Sequence, residues 1–324
     1  MIPKTRLNTA EILTLKSIKG IGTQSVKTLA ESSLTLEELI YSEPETLTRW
    51  VKGSNKIAGI NGIISLSTSD SDQFRVKIAQ LEAKGVSVIS YWDPDYPNLY
   101  RLIKNPPPLI YVRGNKTLLN PLKSIAIVGT RNSSKEAQLI ASATAREFGQ
   151  RGYLIVSGLA LGIDTAGHLG AIDTAGKTAA ILVDILDIYP KENEVLANQI
   201  LKADGILLSE NLPGEAFGPA AFVSRDRLQS GLSQGVFVIE SGSKGGTMHT
   251  ARFASEQSRL VFVPDYSKVK DYSFKNEQYS GLKKLIESRQ ASTYTAKDYN
   301  SIQEKLCLKH DGLQSDITQT SLFG

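Results

Sequence analysis

Between residues 124 and 264 short apolar runs alternate with helical stretches, and no other feature constrains the fold of this chain as strongly. The runs Ser124–Val128, Tyr153–Val156, Thr178–Val183, Gly205–Leu208, Val236–Ile239 and Leu260–Val263 are rich in Val, Ile and Leu without polar alternation. Runs of this kind predict strands buried on both faces of a parallel sheet. The segments between them, at about 134–150, 164–174, 191–202, 222–231 and 247–257, predict the covering helices. The expected fold class is α/β, a doubly wound Rossmann-like parallel sheet with right-handed crossovers, together with a small helical N-terminal domain.

That N-terminal domain is expected over residues 1–75, where apolar positions fall around the break Lys19-Gly20-Ile21-Gly22. A helix-hairpin-helix or SAM-like joint there could aim amides at a phosphate. Equally, the glycines could serve only a tight turn. Residues 76–265 are assigned to the core together with a connector. The connector comprises a helix (Phe74–Lys84), a strand (Val86–Ser90), prolines at 94, 97 and 106–108, and a strand (Leu109–Val112). Proline presets extended backbone and forbids helix, so this stretch reads as rigid. Residues 266–324 are polar, with one helix predicted at Ser280–Ser288, and are expected to be a peripheral tail.

Composition removes several function classes. The single cysteine, Cys307, excludes a disulfide scaffold and any zinc site built on several thiolates. No metal and no cofactor is expected. The N-terminus lacks an apolar signal core and no window approaches a membrane span, so a cytoplasmic protein without membrane attachment is expected. With 37 Lys and Arg against 33 Asp and Glu and a pI near 8.9, a polyanionic partner is permitted but not demanded.

Ligands of doubly wound sheets bind outside the carboxyl ends of the strands, and the informative residues cluster there. After the first core strand come Gly129, Thr130 and Arg131, a tight turn and a guanidinium that either meets a phosphate or is merely solvated. After the second stands Ser157-Gly158-Leu159-Ala160-Leu161-Gly162-Ile163-Asp164, which lacks the GxGxxG of a dinucleotide site even with Asp184 placed for a ribose. Asp164 can cap the next helix, and His168, four residues on, is expected to hydrogen-bond to it rather than to catalyse. The run Lys244-Gly245-Gly246-Thr247 opens a helix as an anion nest but is not a Walker A loop. Phe222, Arg225 and Arg227 offer an aromatic and two guanidiniums, the vocabulary of single-strand binding, or else a surface Arg–Asp–Arg network over a core Phe222.

Six ordered stretches carry a resemblance: IVGTR (127–131), SGLALGIDTAGH (157–168), YPKEN (189–193), SENLPG (209–214), FVSRDRLQSGLS (222–233) and VIESGSKGGTMHTARFA (238–254). Together with DPDYPNLYRLIKNPPPLIYVRG (93–114), they resemble the DNA-processing protein A (DprA/Smf) family. The resemblance implies a homodimeric protein of natural transformation that binds and protects incoming single-stranded DNA and loads the RecA recombinase, with no catalytic step required. Carried over by position, the implied DNA contacts are Arg131, Phe222, Arg225, Arg227 and Lys244. The implied phosphate nest is Gly129, Thr130, Ser157, Gly158, Gly162, Gly245, Gly246 and Thr247. The chain departs from the family in several places: Asp226 stands where the family usually has Asn, Gly245-Gly246 replaces Ser-Gly, and Pro264-Asp265 replaces Pro-Gly. The winged helix that closes many members is expected to be absent or reduced, given the short stretch after Ala296.

Two other function classes share the fold. Phosphoribohydrolases that resemble the cytokinin-activating enzymes need a glutamate where Thr250 stands here, so that class is disfavoured. A nucleotide-binding sensor module would use the same glycine pocket, and it is the alternative to strand binding.

Overall fold

The computed structural model describes residues 3–270, 272 and 277–323; for residues 310, 314 and 316–323 the description covers the backbone alone. Its contacts divide the chain into two compact units, Met1–Tyr96 with Lys104–Tyr111 and Thr318–Gly324, and Pro97–Ile103 with Val112–Ile317.

In the first unit six helices run from Thr9–Ser17 to Asp70–Ala83 and lead into strand β1 (Val86–Ser90), which neighbours β2 (Leu109–Gly114). The first and last of these helices pack together, so the segment assigned to the connector as far as Tyr96 clusters with the N-terminal helices. Gly20 adopts φ +96°, and a Cβ there would stand 2.6 Å from the carbonyl oxygen of Asn55. Turn geometry and close backbone packing therefore account for this glycine. The proline run is fixed from inside the same unit: the Tyr96 hydroxyl donates to the carbonyl of Pro107 at 2.8 Å, and the amide of Tyr91 donates to that of Pro108 at 2.9 Å.

The second unit is the Rossmann-like α/β domain. Its strands are β3 (Ser124–Val128), β4 (Leu154–Ser157), β5 (Thr178–Ile181), β6 (Ile206–Ser209), β7 (Gly235–Val238), β8 (Leu260–Pro264) and β9 (Ser292–Tyr294), ordered β6-β5-β4-β3-β7-β8-β9 with parallel pairings throughout. β3 to β7 are buried along their whole length, as are all but the first residue of β8, as two-sided coverage requires. From β3 the chain winds outward through β4, β5 and β6. It then returns to the other side of β3 as β7. The strand order reverses between β3 and β7, and a crevice opens at their carboxyl ends.

The tail is not peripheral, contrary to the sequence reading. β9 extends the sheet in parallel register, Phe262 opposite Ser292, and the helix Tyr299–Phe323 buries Tyr299, Ile302, Leu306 and Leu313. The Tyr294 and Tyr299 hydroxyls lie 3.0 and 3.1 Å from the Thr144 hydroxyl oxygen. The buried positions of the long helix follow a helical period. One of its buried residues is a tyrosine and Leu306 and Leu313 stand two turns apart, so the segment reads as polar.

Candidate functional site

A cavity of about 410 Å³ occupies the crevice. Its walls come from the end of β3 (Gly129, Thr130, Arg131), from the β4 turn (Ala160, Asp164), from the helix Ala220–Gly231, and from the turn Ser241–Gly246 that opens the helix Thr247–Glu256. Glu240, fully buried at the end of β7, ties the mouth together. Its backbone carbonyl accepts from the amide of Thr130 at 2.8 Å. Its carboxylate accepts from the amide and hydroxyl of Ser134, at 2.8 and 3.1 Å, and from the hydroxyl of Tyr272 at 2.7 Å. Arg131 projects from this anchored loop with an exposed side chain. Gly246 and Thr247 present the N-terminus of a ten-residue helix to the cavity, where the helix dipole favours an anion.

The helix Ala220–Gly231 contributes Phe222, Val223, Arg225, Asp226 and Gln229 to the cavity. Four of them, Phe222, Arg225, Asp226 and Gln229, stand at i, i+3, i+4 and i+7 on one helix face, and Val223 stands at its edge. Arg225 is buried, and its Nη1 donates to the carbonyl of Ile181 at 3.0 Å, with Nε 3.6 Å from the Asp226 carboxylate. It is a floor residue and not a solvated phosphate hook. Burial pushes the Asp226 carboxyl up to about 6 against the opposing pull of Arg225, Gln229 and Arg131. Asp164 is likewise raised by burial to about 6, with Arg225 and the amides of Ala160 and Gly158 pulling it down. Two raised carboxyls around one buried guanidinium mark this floor as electrostatically loaded.

Several residues expected in the site stand elsewhere. Arg227 faces away from the cavity and makes a two-pronged contact with Glu210 at 2.5 and 2.6 Å; an i, i+2 spacing on a helix cannot put both arginines on one face. Lys244 is exposed on its turn and does not line the cavity. Of the expected nest, Gly129, Thr130, Gly245, Gly246 and Thr247 line the cavity, whereas Ser157, Gly158 and Gly162 do not. The Ser157 hydroxyl donates to the carbonyl of Ile127 at 2.6 Å, and the Gly158 amide donates to Asp164 at 3.0 Å. Gly162 is needed for φ +79° and for its approach to the carbonyls of Thr130 and Arg131. Asp184 accepts from the amides of Leu186, Asp187 and Gly214 and so staples its own loop.

Nor do Asp164 and His168 pair. The Thr178 hydroxyl donates to the carbonyl of Ile155 at 2.7 Å, which leaves its oxygen to accept from His168 Nδ1–H, also at 2.7 Å. His168 is fully buried, and among the described residues its Nε2 has no hydrogen-bond partner. Burial, and secondarily Arg225, lowers its pKa to about 3.

Sequence reasoning missed the aromatic surroundings of Phe222. Its ring meets Tyr189 at 5.6 Å and Phe217 at 5.7 Å, both edge-on, and both of these partners are exposed. Gln229 also went unnoticed, although the helical period counted from Phe222 reaches it. Among the described residues no cluster of three or more His, Cys, Asp or Glu could hold a metal, and no helix is long and apolar enough to cross a membrane.

The chain was compared with known proteins. The family described as DNA recombination-mediator protein A matches residues 87–306. The DNA processing protein DprA of Bacillus subtilis is 32% identical over 270 residues, covering 79% of this chain and 89% of its own. That of Streptococcus pneumoniae is 35% identical over 210 residues, covering 64% and 73%. Among solved structures, DNA processing protein A from Streptococcus pneumoniae superposes with a TM-score of 0.72 at 27% identity, over 89% of this chain and 95% of that one. The Helicobacter pylori protein, studied for its single-stranded DNA binding mode, superposes with a TM-score of 0.59 at 27% identity, over 68% of this chain and 96% of that one.

Proposed function

The chain belongs to the DNA recombination-mediator protein A family, and from that premise and the geometry of the crevice we propose that it binds single-stranded DNA across the carboxyl ends of β3 and β7. The observation that carries this reading is the single helix face formed by Phe222, Arg225, Asp226 and Gln229, set opposite Arg131 and the N-terminus of helix Thr247–Glu256. Arg131 and the helix amides take phosphates, while the Tyr189–Phe222–Phe217 cluster supplies rings on which bases stack. The reading needs no catalytic residue. It extends to protection of incoming strands, to handover to a RecA recombinase and to action as a homodimer, all of which follow from the family resemblance.

Fluorescence anisotropy with labelled oligo-dT and with a duplex of equal length, at two salt concentrations, tests the proposal. Tighter binding of the single strand, weakening with salt, is expected; absence of oligo-dT binding by the folded protein at low salt would refute it. A second reading, a sensor for a free nucleotide, is favoured by one observation, the cavity's size of about 410 Å³ with a buried polar floor. A thermal shift with a nucleotide and none with oligo-dT would select it.

A further inference from the structure

The cavity floor is richer in acceptors than phosphate binding requires. The Gln229 side chain is almost fully buried, at 3% exposed, and its Nε2 donates to Asp226 Oδ1 at 2.9 Å. An ionised carboxylate only accepts, so this contact fixes the orientation of the amide. Among the described residues Gln229 Oε1 is then left buried without a hydrogen-bond partner, in a residue that lines the cavity. A buried acceptor without a partner is costly unless something else supplies the donor. Beside it the Asp226 carboxylate holds further lone pairs, and Asp164, at 5% exposed, lines the same floor. Phe222, one turn before Asp226 on the same helix face, lines the cavity too.

A planar base that enters between these groups and lies along Phe222 meets acceptors at its edge. Thymine offers one donor there, N3–H, between two carbonyls that would face the acceptors. Cytosine and adenine each offer one amino group beside an acceptor nitrogen. Guanine alone presents adjacent donors, N1–H and the N2 amino group, on its Watson–Crick edge. We infer that the Asp226–Gln229 pair forms a guanine-selective subsite, reading one base of an otherwise sequence-tolerant strand. The inference rests on the strand-binding reading proposed above. The same donor edge belongs to a free guanine nucleotide, so the test includes both sources.

The test measures anisotropy at pH 8 and low salt with a dT 12-mer and with 12-mers carrying one central dG, dI, dC or dA, and thermal shift with dGMP. A single dG avoids quadruplex formation. The dG strand is expected to bind about tenfold tighter than dT, the scale of one bidentate base contact. Deoxyinosine, which lacks the N2 amine, should lose most of that gain. Asp226→Asn and Gln229→Leu, checked for folding by circular dichroism, should each bring the dG-to-dT affinity ratio to near one, whatever their affinity for dT itself. Equal affinity for all five strands with firm dT binding overturns the guanine subsite and leaves strand binding intact. No binding of any strand, with dGMP stabilising the protein, retains guanine recognition and replaces the strand by a free nucleotide. No response to any probe defeats both readings. If both variants prove unfolded, the dG-to-dI ratio of the native protein decides: a ratio near one overturns the inference.

Discussion

The guanidinium of Arg225 occupies the space that a side chain at Gly158 would need: a Cβ built on Gly158 would stand 1.7 Å from Nη1 of Arg225 and 2.9 Å from Oδ2 of Asp164. The β4 turn and the helix Ala220–Gly231 are thus fitted to each other through one glycine. Gly158→Ala should therefore push Arg225 off the carbonyl of Ile181, at a cost of about 1–3 kcal/mol, the scale of core overpacking. Urea denaturation of Gly158→Ala, Arg225→Ala and the double variant checks the link. The alanine at 158 should cost clearly less in the Arg225→Ala background, and additive costs would show that the two sites are not coupled.

The three arginines of the motifs should separate by experiment. Arg131 is exposed at the mouth, so Arg131→Ala should leave stability unchanged and lower the slope of log affinity against log salt by about one. Arg225 and Arg227 are buried or nearly so against carboxylates. Replacing either by alanine should destabilise the fold by about 3–5 kcal/mol, the cost of leaving a buried charge unpaired. In the Arg227→Ala protein, studied at a temperature where it stays folded, the salt slope should be that of the native protein. Melting curves and salt titrations on the same preparations decide.

These arginines also show what was legible in the sequence and what was not. The sheet was legible, because strands covered on both faces read as continuous apolar runs whatever their neighbours, and Arg131 was legible because a strand end in this fold points at the crevice. Arg227 was misread because the motif was taken as a linear string, while the helix distributes it by 100° steps and turns Arg227 by 100° or more from each of Phe222, Arg225, Asp226 and Gln229. Ser157 and Gly158 fit a nest by type, but their polar groups are consumed by Ile127 and Asp164. That consumption depends on contacts no local pattern encodes. The long C-terminal helix was missed because its buried stripe opens on a tyrosine and its apolar members, Ile302, Leu306 and Leu313, are spread among polar residues.

Asp226→Asn should raise the affinity for oligo-dT severalfold at low salt and pH 8. The carboxylate lines the cavity that is to receive a phosphodiester strand, and at roughly 6 Å its negative charge, only partly offset by Arg225, costs an incoming phosphate up to about 1–3 kcal/mol across effective dielectrics from water to protein surface. With its carboxyl raised to about 6, the native protein is largely protonated at this position at pH 5. The advantage of the variant should shrink there, and it should shrink also with added salt. Anisotropy titrations at pH 8 and pH 5 measure it; an advantage of equal size at both values would place the repulsion on another group.

His168 and the two raised carboxyls act on stability in opposite directions. The folded protein holds His168 neutral with a pKa of about 3, whereas the unfolded chain protonates it near 6.5. Its contribution is complete above pH 6.5 and is lost as pH falls, by about 2 kcal/mol at pH 5. Asp164 and Asp226, raised to about 6 from 3.8, bind protons in the folded state first, so each contributes up to about 1.4 kcal/mol as pH falls from 8 to 5. Together these terms largely offset one another, and the native protein should gain less than about 1 kcal/mol of stability from pH 8 to pH 5. His168→Asn retains a donor toward Thr178 and removes the titrating ring. Its stability relative to the native protein should therefore improve by about 2 kcal/mol between pH 8 and pH 5, on top of a pH-independent loss from the smaller side chain. Urea denaturation of both proteins at the two pH values measures this difference, and a difference that does not change with pH would mean that His168 titrates alike in the folded and unfolded chains.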